Sequence, residues 1–328
     1  MSNIFEKTLH IDPEYQHLEK YVNIMYKGFW TPAKYEKSIK ELDAPHFYNS
    51  MSELDQEAIR RCILAVSIVE DKVKTYWSAL AIDLPQTIIG DVGGLFGQSE
   101  VTHRRSYHSL AEALNVELDE ISEHEALKGR IDYLSKYIEV DPKIIGKKRI
   151  LKKLVLFTAL VERCSLFTQF YILMSYAYNN RGLKTISALQ ESTAIEEVTH
   201  YNFGIDLVNI IKRQFPQMWD EYLVELITDN IQVAYQSELN LIDWFFEKGV
   251  PSHLTKEEVV NFLNYNFNVV CRDLSIDLEF EVQEDLFNTK NSWFKAKVFM
   301  TTEPDFFDSM VSNYASDDEE IDLDTFNF

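Results

Sequence analysis

The chain has 328 residues, with 53 acidic against 32 basic side chains and a formal net charge of −21. This charge disfavours unaided binding to nucleic-acid phosphates or anionic lipid, because both attract surfaces rich in Lys and Arg. The 10 glycines and 8 prolines are about half of their usual combined share of roughly 12%. A β-sandwich, a β-barrel or a low-complexity chain would need more turn-forming residues.

Apolar residues recur at helical spacing through almost the whole chain. The first long helix is predicted from Ser52, which forms an N-cap pair with Asp55, to Leu80. The glycines between 93 and 97 indicate a loop, a weak helix or a close approach of two helices. Further helices are predicted over about 100–114, 118–139, 149–180, 184–213 and 218–248, and another after the capping box of Thr255 and Glu258. Long helices with short links favour a bundle, so the predicted fold class is all-α.

Cysteine usage and hydropathy bear on the compartment. Cys62, Cys164 and Cys271 lie far apart, so neither a disulfide framework nor a zinc knuckle is predicted. The first residues lack the basic-then-apolar layout of a signal peptide. The most apolar stretch, 151–174, contains Glu162, Arg163 and Gln169, which a membrane span rarely tolerates. We therefore expect a soluble cytoplasmic protein.

The character of the sequence changes after residue 302. Residues 303–328 contain nine acids and no Lys or Arg, which predicts a flexible tail after a helical domain over 1–302. One interpretation is a solubilising tail. Against it, Phe326 and Phe328 add nothing to solubility, and they suit a segment that becomes ordered on a partner.

Two E-x-x-H motifs, at 100–103 and 197–200, are the strongest chemical signal. Residues three apart share a helix face, so the Glu and His of each motif can point at one spot. Two further acids, Glu70 and Glu162, lie among apolar residues of their own predicted helix faces. Acids in such places are seldom buried unless they are paired or bind a metal. Each motif alone is more often a surface acid or a core histidine, but the four together favour a metal site.

One Glu from each of two helices, with an E-x-x-H from each of two others, is the donor set of ferritin-like di-iron and di-manganese carboxylate proteins. Two divalent ions would offset the four carboxylates, whereas an empty site would force some of them to hold protons. Carboxylate oxygens with imidazole nitrogens suit iron or manganese, since zinc more often brings cysteine. The prediction is a ferritin-like helical bundle with extra helices and a flexible acidic C-terminal tail.

Taken in chain order, these features resemble the radical-generating (beta, small) subunit of class I ribonucleotide reductase. The pieces that carry the resemblance are an aromatic-Trp-x-Pro segment in GFWTPAKYE, Glu70, EVTHRRSY at 100–107, Glu162, EEVTH at 196–200, NSWF, DFF and an acidic tail ending in Phe. Any one piece is modest, but the ordered set covers nearly the whole chain.

The resemblance implies a role for each matched position. The implied metal ligands are Glu70, Glu100, His103, Glu162, Glu197 and His200. Tyr107 matches the tyrosine that holds the stable radical, Trp30 the aromatic that carries electron transfer between the centre and the surface, and Glu196 the acid that links this Trp to a metal-bound His. Tyr314, in the tail, would relay the radical to the partner.

The resemblance also implies the activity and the partners. The enzyme would be a ribonucleoside-diphosphate reductase, an oxidoreductase of deoxyribonucleotide synthesis that is active only with its catalytic large (alpha) subunit. Two Mn or two Fe ions per chain would react with an oxygen species to generate the radical. The tail would dock on the large subunit, the chain would form a homodimer, and a flavoprotein activase is left open.

Two departures from the family's usual pattern bear on the metal. Glu70 stands where many members have Asp, and the adjacent Asp71 is an alternative ligand that points about 100° away from the apolar face. Lys74, one turn after Glu70, is either a salt-bridging or snorkelling lysine or a charge that draws an anionic oxidant such as superoxide to the metals. The second alternative fits manganese, which is slightly favoured. The departures leave open whether Tyr107 or the metal pair stores the radical.

Two other functions compete with this one. The nearest is a stand-alone dimetal carboxylate oxidase or desaturase that reaches an organic substrate through a hydrophobic channel. The other is a metal-storage or structural helical protein. The tail discriminates among them, because neither competitor needs a docking segment or Tyr314.

Overall fold

The computed structural model describes residues 2–73, 75–117 and 124–300, and every regular element in these ranges is helical. The α-helices of ordinary length are α1 (Glu19–Lys27), α2 (Ala33–Ser38), α3 (Ala44–Ser50), α4 (Glu53–Val73), α5 (Tyr76–Asp83), α6 (Thr87–Ala113), α7 (Glu125–Leu134), α8 (Lys147–Leu156), α9 (Phe167–Tyr178), α10 (Lys184–Gln214), α11 (Glu221–Phe245) and α12 (Lys256–Leu274). Short 3₁₀, π or α segments extend or join them at Pro13–Leu18, Ile39–Asp43, Ser135–Tyr137, Phe157–Cys164, Pro216–Met218, Glu284–Leu286, Phe287–Asn291, Ser292–Phe294 and Lys295–Phe299.

The all-α prediction is confirmed, and the local start signals act as expected. Ser52 Oγ accepts a hydrogen bond from the Asp55 backbone N–H at 3.2 Å, just before α4. Thr255 Oγ1 accepts one from the Glu258 backbone N–H at 3.1 Å, just before α12. Each side chain satisfies a backbone donor that the first helical turn leaves without a partner.

The single helix predicted over 52–80 is wrong, because the chain forms two helices there. Thr75, between α4 and α5, has φ −108° and ψ −9°, outside the helical norm. α5 then packs along α6, and its residues Tyr76, Trp77 and Leu80 are buried. Apolar spacing could not reveal the break, because the apolar pattern of the sequence continues from α4 into α5.

The glycines between 93 and 97 lie inside α6 and mark a close approach of two helices. A Cβ on Gly93 would lie 2.5 Å from the backbone oxygen of Trp77, and one on Gly97 would lie 1.8 Å from Ser78 Oγ. Both distances are far below van der Waals contact, so only glycine lets α5 and α6 pack this tightly. Of the three interpretations of these glycines, the close approach is therefore confirmed.

The helix predicted over 149–180 is interrupted by a π-helical stretch. α8 runs directly into Phe157–Cys164, which has π geometry, and α9 follows from Phe167. π-helical turns are rare in proteins, and many of those that occur lie at functional sites. This one carries Glu162. Of the helix predicted over 118–139, residues 118–123 lie outside the described ranges, and the remainder forms α7 and the turn Ser135–Tyr137.

The interior of the bundle is where the site lies. α4 packs on α6 and α9, while α10 packs on α9 and on the π-helical stretch. Most of the large hydrophobic side chains between these helices are buried in one continuous cluster. No helix in the described ranges is both long and apolar enough to cross a membrane. The predicted tail, 303–328, lies outside the described residues.

Candidate metal centre

Four separate elements bring six acidic and imidazole side chains into the same interior space. Glu70 lies in the last turn of α4, and the two E-x-x-H motifs lie on α6 and α10, while Glu162 lies in the π-helical stretch. All six side chains are buried, with residue exposures of 1% or less: Glu70, Glu100, His103, Glu162, Glu197 and His200. Each E-x-x-H motif thus places its Glu and its His in this space, and the fold brings the four elements together.

The six residues form two overlapping groups, each able to hold one cation. One group is Glu70, Glu100, His103 and Glu197, and the other is Glu100, Glu162, Glu197 and His200. Within each group the candidate ligand atoms all lie within 4.8 Å of one another. Glu100 and Glu197 belong to both groups, so their carboxylates can bridge two ions. The arrangement is that of a dinuclear site with one histidine at each end.

His103 is oriented by an acid on its far side. Its Nε2 lies 2.6 Å from Glu196 Oε2, while its Nδ1 faces the cluster, 3.0 Å from Glu197 Oε1 and 3.9 Å from a Glu70 oxygen. A hydrogen bond at one ring nitrogen fixes the imidazole tautomer and leaves the other nitrogen for a metal. Glu196 thus performs a positioning role.

His200 has the corresponding arrangement at the other end. Its Nδ1 lies 3.1 Å from Glu197 Oε2 and 3.4 Å from Glu162 Oε2, and its Nε2 lies 3.1 Å from Ser99 Oγ. The second oxygen of Glu162, Oε1, accepts a hydrogen bond of 2.8 Å from the Trp77 indole N–H. Both histidines therefore present Nδ1 to the space between the carboxylates.

The charges at this site are unbalanced without a cation. Burial, together with neighbouring carboxylates, raises the pKa of Glu70 and the pKa of Glu162 well above their usual values. Burial would lower the pKa of His103, but the nearby carboxylates of Glu196, Glu197 and Glu70 outweigh burial and raise that pKa. In the metal-free chain, protons bound to these groups therefore offset the negative charge that metal cations would otherwise offset.

The donor atoms fit a pair of divalent ions. Among the described residues, both carboxylate oxygens of Glu70 and of Glu100 and the Nδ1 of His103 make no hydrogen bond. Leaving buried polar atoms without partners is costly, and metal coordination would satisfy them. Four carboxylates and two imidazoles are oxygen-rich and lack sulfur, which suits iron or manganese.

The aromatic residues singled out in the sequence lie against the cluster. The Trp30 ring stacks on the His103 ring, with centroids 5.9 Å apart and planes 24° from parallel. Its Nε1 makes no hydrogen bond to the described residues, so a direct link from Trp30 to Glu196 is not seen. Tyr107 is buried, and its hydroxyl donates a hydrogen bond of 2.8 Å to Gln190 Oε1.

Some contacts to the cluster escaped sequence analysis, and two predicted residues lie outside the described ranges. Trp77, Gln190 and Ser99 contact site residues that belong to other helices, so no spacing within one helix indicates them. The π geometry around Glu162 has no sequence signal either. Lys74 and Tyr314 are the two predicted site residues that fall outside the described ranges.

Comparison with known proteins decides the family. A family model described as ribonucleotide reductase, small chain, matches residues 10–288. The chain belongs to this family. It is similar to the ribonucleoside-diphosphate reductase subunit beta of Chlamydia pneumoniae, with 23% identity over 229 residues that cover 66% of this chain and 63% of that relative. The matched chain therefore spans less than two thirds of the relative's length.

Solved structures of small subunits share the fold. A ribonucleotide reductase R2 subunit from Clostridium botulinum has a TM-score of 0.78 at 13% identity, over 89% of this chain and 94% of that one. A dimanganese(II) NrdF from Streptococcus sanguinis has a TM-score of 0.71 at 17% identity, over 86% and 96%. These likenesses confirm the ferritin-like small-subunit architecture that the resemblance implied.

Proposed function

We propose that this chain is the radical-generating small subunit of a ribonucleoside-diphosphate reductase and that it acts with a separate catalytic large subunit. The observation that carries the proposal is the pair of buried donor groups that share Glu100 and Glu197, inside a chain of the small-subunit family. We further propose that it works as a homodimer in the cytoplasm, with the helical domain over 1–302 and the tail over 303–328.

The proposed cofactor is a pair of manganese or iron ions per chain, held by the six buried residues of the cluster. When bound, such a pair supplies a strong one-electron oxidant after reaction with an oxygen species. The oxygen-rich donor set accepts both metals. Manganese is slightly favoured by Lys74, whose charge would attract superoxide. Activation by superoxide that is unchanged in Lys74→Met would count against this role for Lys74.

The chain's own residues hold and connect this oxidant. Glu196 fixes the His103 ring and holds a proton on its Nε2 side, and Trp30 lies face-on to that ring. Burial of all six donors keeps bulk water away from the centre. We propose that an electron reaches the centre through Trp30, and that Tyr314 in the tail connects this route to the large subunit.

Deletion of residues 315–328 tests the partnership. Metal content, the paramagnetic signal after oxidation, and nucleotide reduction with the large subunit are measured for the full chain and the truncated chain. We expect about two Mn or Fe per chain and the same oxidised signal in both, with reduction lost in the truncated chain. Tyr314→Phe is the matched control, because it keeps the tail but removes the phenol, and it should also stop reduction while still binding the large subunit.

The other outcomes select the competing functions. Nucleotide reduction that survives the deletion would contradict docking through the tail and favour a stand-alone oxidase or desaturase. Metal binding with no oxidised signal in either chain would favour storage or structure. Anomalous scattering at the Fe and Mn edges identifies the metal, and activation with and without a reduced flavoprotein tests the activase.

A further inference from the structure

A row of oxidisable rings leads from the Glu162 side of the cluster to the protein surface. The Trp77 indole N–H donates to Glu162 Oε1 at 2.8 Å. The Trp77 and Tyr76 ring centroids are 5.2 Å apart, and those of Tyr76 and Tyr137 are 5.7 Å apart. Trp77 and Tyr76 are buried, whereas Tyr137 is half-buried at the end of the turn after α7. The row is therefore continuous from a candidate metal ligand to solvent.

The ring of Phe157 packs beside this row. Phe157 stacks on Tyr76 at 3.7 Å between centroids and lies 5.4 Å from Trp77 and 5.1 Å from Tyr137. Phenylalanine is much harder to oxidise than tryptophan or tyrosine, so Phe157 stores no charge itself. It contacts all three oxidisable rings and packs the space between them.

This row is separate from the Trp30 side of the centre. Trp30 stacks on His103, whereas Trp77 contacts Glu162 and lies 5.9 Å from the His200 ring. The two tryptophans thus contact candidate ligands of different donor groups. A route to the large subunit through Trp30 has no need of the Trp77 row, which leaves that row without a role in the proposed function.

We propose that Trp77, Tyr76 and Tyr137 form a second electron-transfer route, which discharges the oxidised metal pair when no large subunit is docked. This inference rests on the proposed function. One electron leaves Tyr137 and passes through Tyr76 and Trp77 to the metal pair, which is reduced by one electron; Tyr76 keeps its O–H proton and Trp77 its N–H proton, because each ring is oxidised only in passing. Tyr137 releases its phenolic proton to water and becomes a neutral radical. A small reductant, such as a thiol or ascorbate, then returns one hydrogen atom to Tyr137.

Two charged groups affect how easily the rings of Trp77 and Tyr76 lose an electron. The Glu162 carboxylate accepts the Trp77 N–H and stabilises the positive charge left when the indole loses an electron. Lys153 has the opposite effect at the next ring, because its ammonium lies 5.2 Å from the Tyr76 centroid and disfavours positive charge there. Lys153 also pairs with Asp83 at 3.2 Å. The ammonium of Lys153 therefore makes oxidation of Tyr76 less favourable, and its removal should speed the discharge.

The test measures how long the oxidised centre survives in the full-length chain alone. The protein is loaded with metal, oxidised without the large subunit, and followed by its paramagnetic signal in the presence of ascorbate. We expect decay about tenfold slower in Tyr76→Phe and in Tyr137→Phe, and severalfold faster in Lys153→Met. Tyr235→Phe is the matched control, because Tyr235 is half-buried and contacts only Phe267 and Phe280 among described rings, and its decay should equal that of the unaltered chain.

Further readouts separate a route from mere packing. A spin trap should label Tyr137 during decay, as located by mass spectrometry, and the label should vanish in Tyr137→Phe. Nucleotide reduction with the large subunit should be unchanged in Tyr137→Phe. Equal decay in the unaltered chain, Tyr76→Phe and Tyr137→Phe would overturn the inference, as would a tenfold loss of nucleotide reduction in Tyr137→Phe. If the unaltered chain never forms an oxidised centre, the proposed function fails first and the discharge route fails with it.

Discussion

The Tyr107 hydroxyl donates its hydrogen bond to the side-chain amide of Gln190. The chemistry of this acceptor bears on whether Tyr107 can store a radical. Gln190 Oε1 accepts the bond at 2.8 Å. Burial and the charge of Glu70 raise the pKa of Tyr107 well above its usual value. A tyrosine holds a stable radical only after it has also lost its phenolic proton, and an amide cannot accept that proton. The Gln190 amide therefore supplies no base for a stable radical on Tyr107.

Replacing this amide with a carboxylate reverses the effect. In Gln190→Glu we expect a severalfold higher yield of tyrosyl radical after oxidation of the metal-loaded chain, because the carboxylate supplies a base of nearly the same shape. The yield is measured by paramagnetic resonance. Gln190→Leu removes the acceptor without adding a base, and its yield should not rise. Equal radical yields in the two variants would contradict the argument.

At the residue scale, the sequence predicts the candidate metal ligands better than it predicts the residues that contact them. Spacing of three places Glu100 with His103, because both sit on one helix face, and no knowledge of the fold is needed. Gln190 lies on α10 and its partner Tyr107 on α6, so their contact depends on how two helices pack. The same reason hides the bond from Trp77 to Glu162. Contacts between helices carry no periodic signal along the chain.

At the element scale, the close packing of α5 on α6 positions Trp77. The Gly93→Ala variant would place a methyl group 2.5 Å from the Trp77 backbone oxygen, and a backbone atom cannot rotate away as a side chain can. We expect a loss of about 1 to 3 kcal/mol in the free energy of unfolding, as for overpacked interiors. Urea unfolding of the metal-free protein measures it.

A glycine one residue along provides the control. A Cβ on Gly94 meets nothing within 4 Å, so Gly94→Ala should be neutral or stabilising by up to about 1 kcal/mol through helix propensity alone. Equal losses in Gly93→Ala and Gly94→Ala would show that propensity, not the contact with Trp77, decides the result.

The elements that sequence analysis missed share a physical cause. Apolar spacing predicts α10 almost to the residue, because its start and end coincide with the pattern. The break between α4 and α5 and the π-helical stretch at Phe157–Cys164 leave the apolar pattern intact. Both features follow from packing against neighbours, which only the folded chain supplies.

At the scale of the whole molecule, the metal centre concentrates like charge where helices must pack. The elements that meet there are α4, α6, α10 and the π-helical stretch, so repulsion among their carboxylates acts on the packing of the bundle itself. Protons relieve it in the metal-free chain, since burial and neighbouring groups raise the pKa of Glu70, Glu100 and Glu162. Cations would relieve it more completely.

The direction of the pH dependence follows from these shifts. The raised carboxyl pKa values, and the raised pKa of His103 and His200, mean that the folded metal-free chain binds more protons than the unfolded chain. Its stability therefore falls as the pH rises through these values. Metal ions need the deprotonated ligands, so their binding strengthens over the same range. The stabilisation gained from metal should be larger at about pH 8 than at about pH 6.

Thermal unfolding with and without Mn²⁺ at these two pH values measures the gain. A hundredfold excess of metal over its dissociation constant is expected to add about 2.7 kcal/mol per site. The Glu100→Gln variant removes one shared negative charge at constant volume. It should be more stable than the unaltered chain without metal and should lose most of the gain on adding metal, since Glu100 belongs to both groups. A gain that is equal at both pH values, or that survives in Glu100→Gln, would contradict a shared site and leave the convergence of the four elements as packing alone.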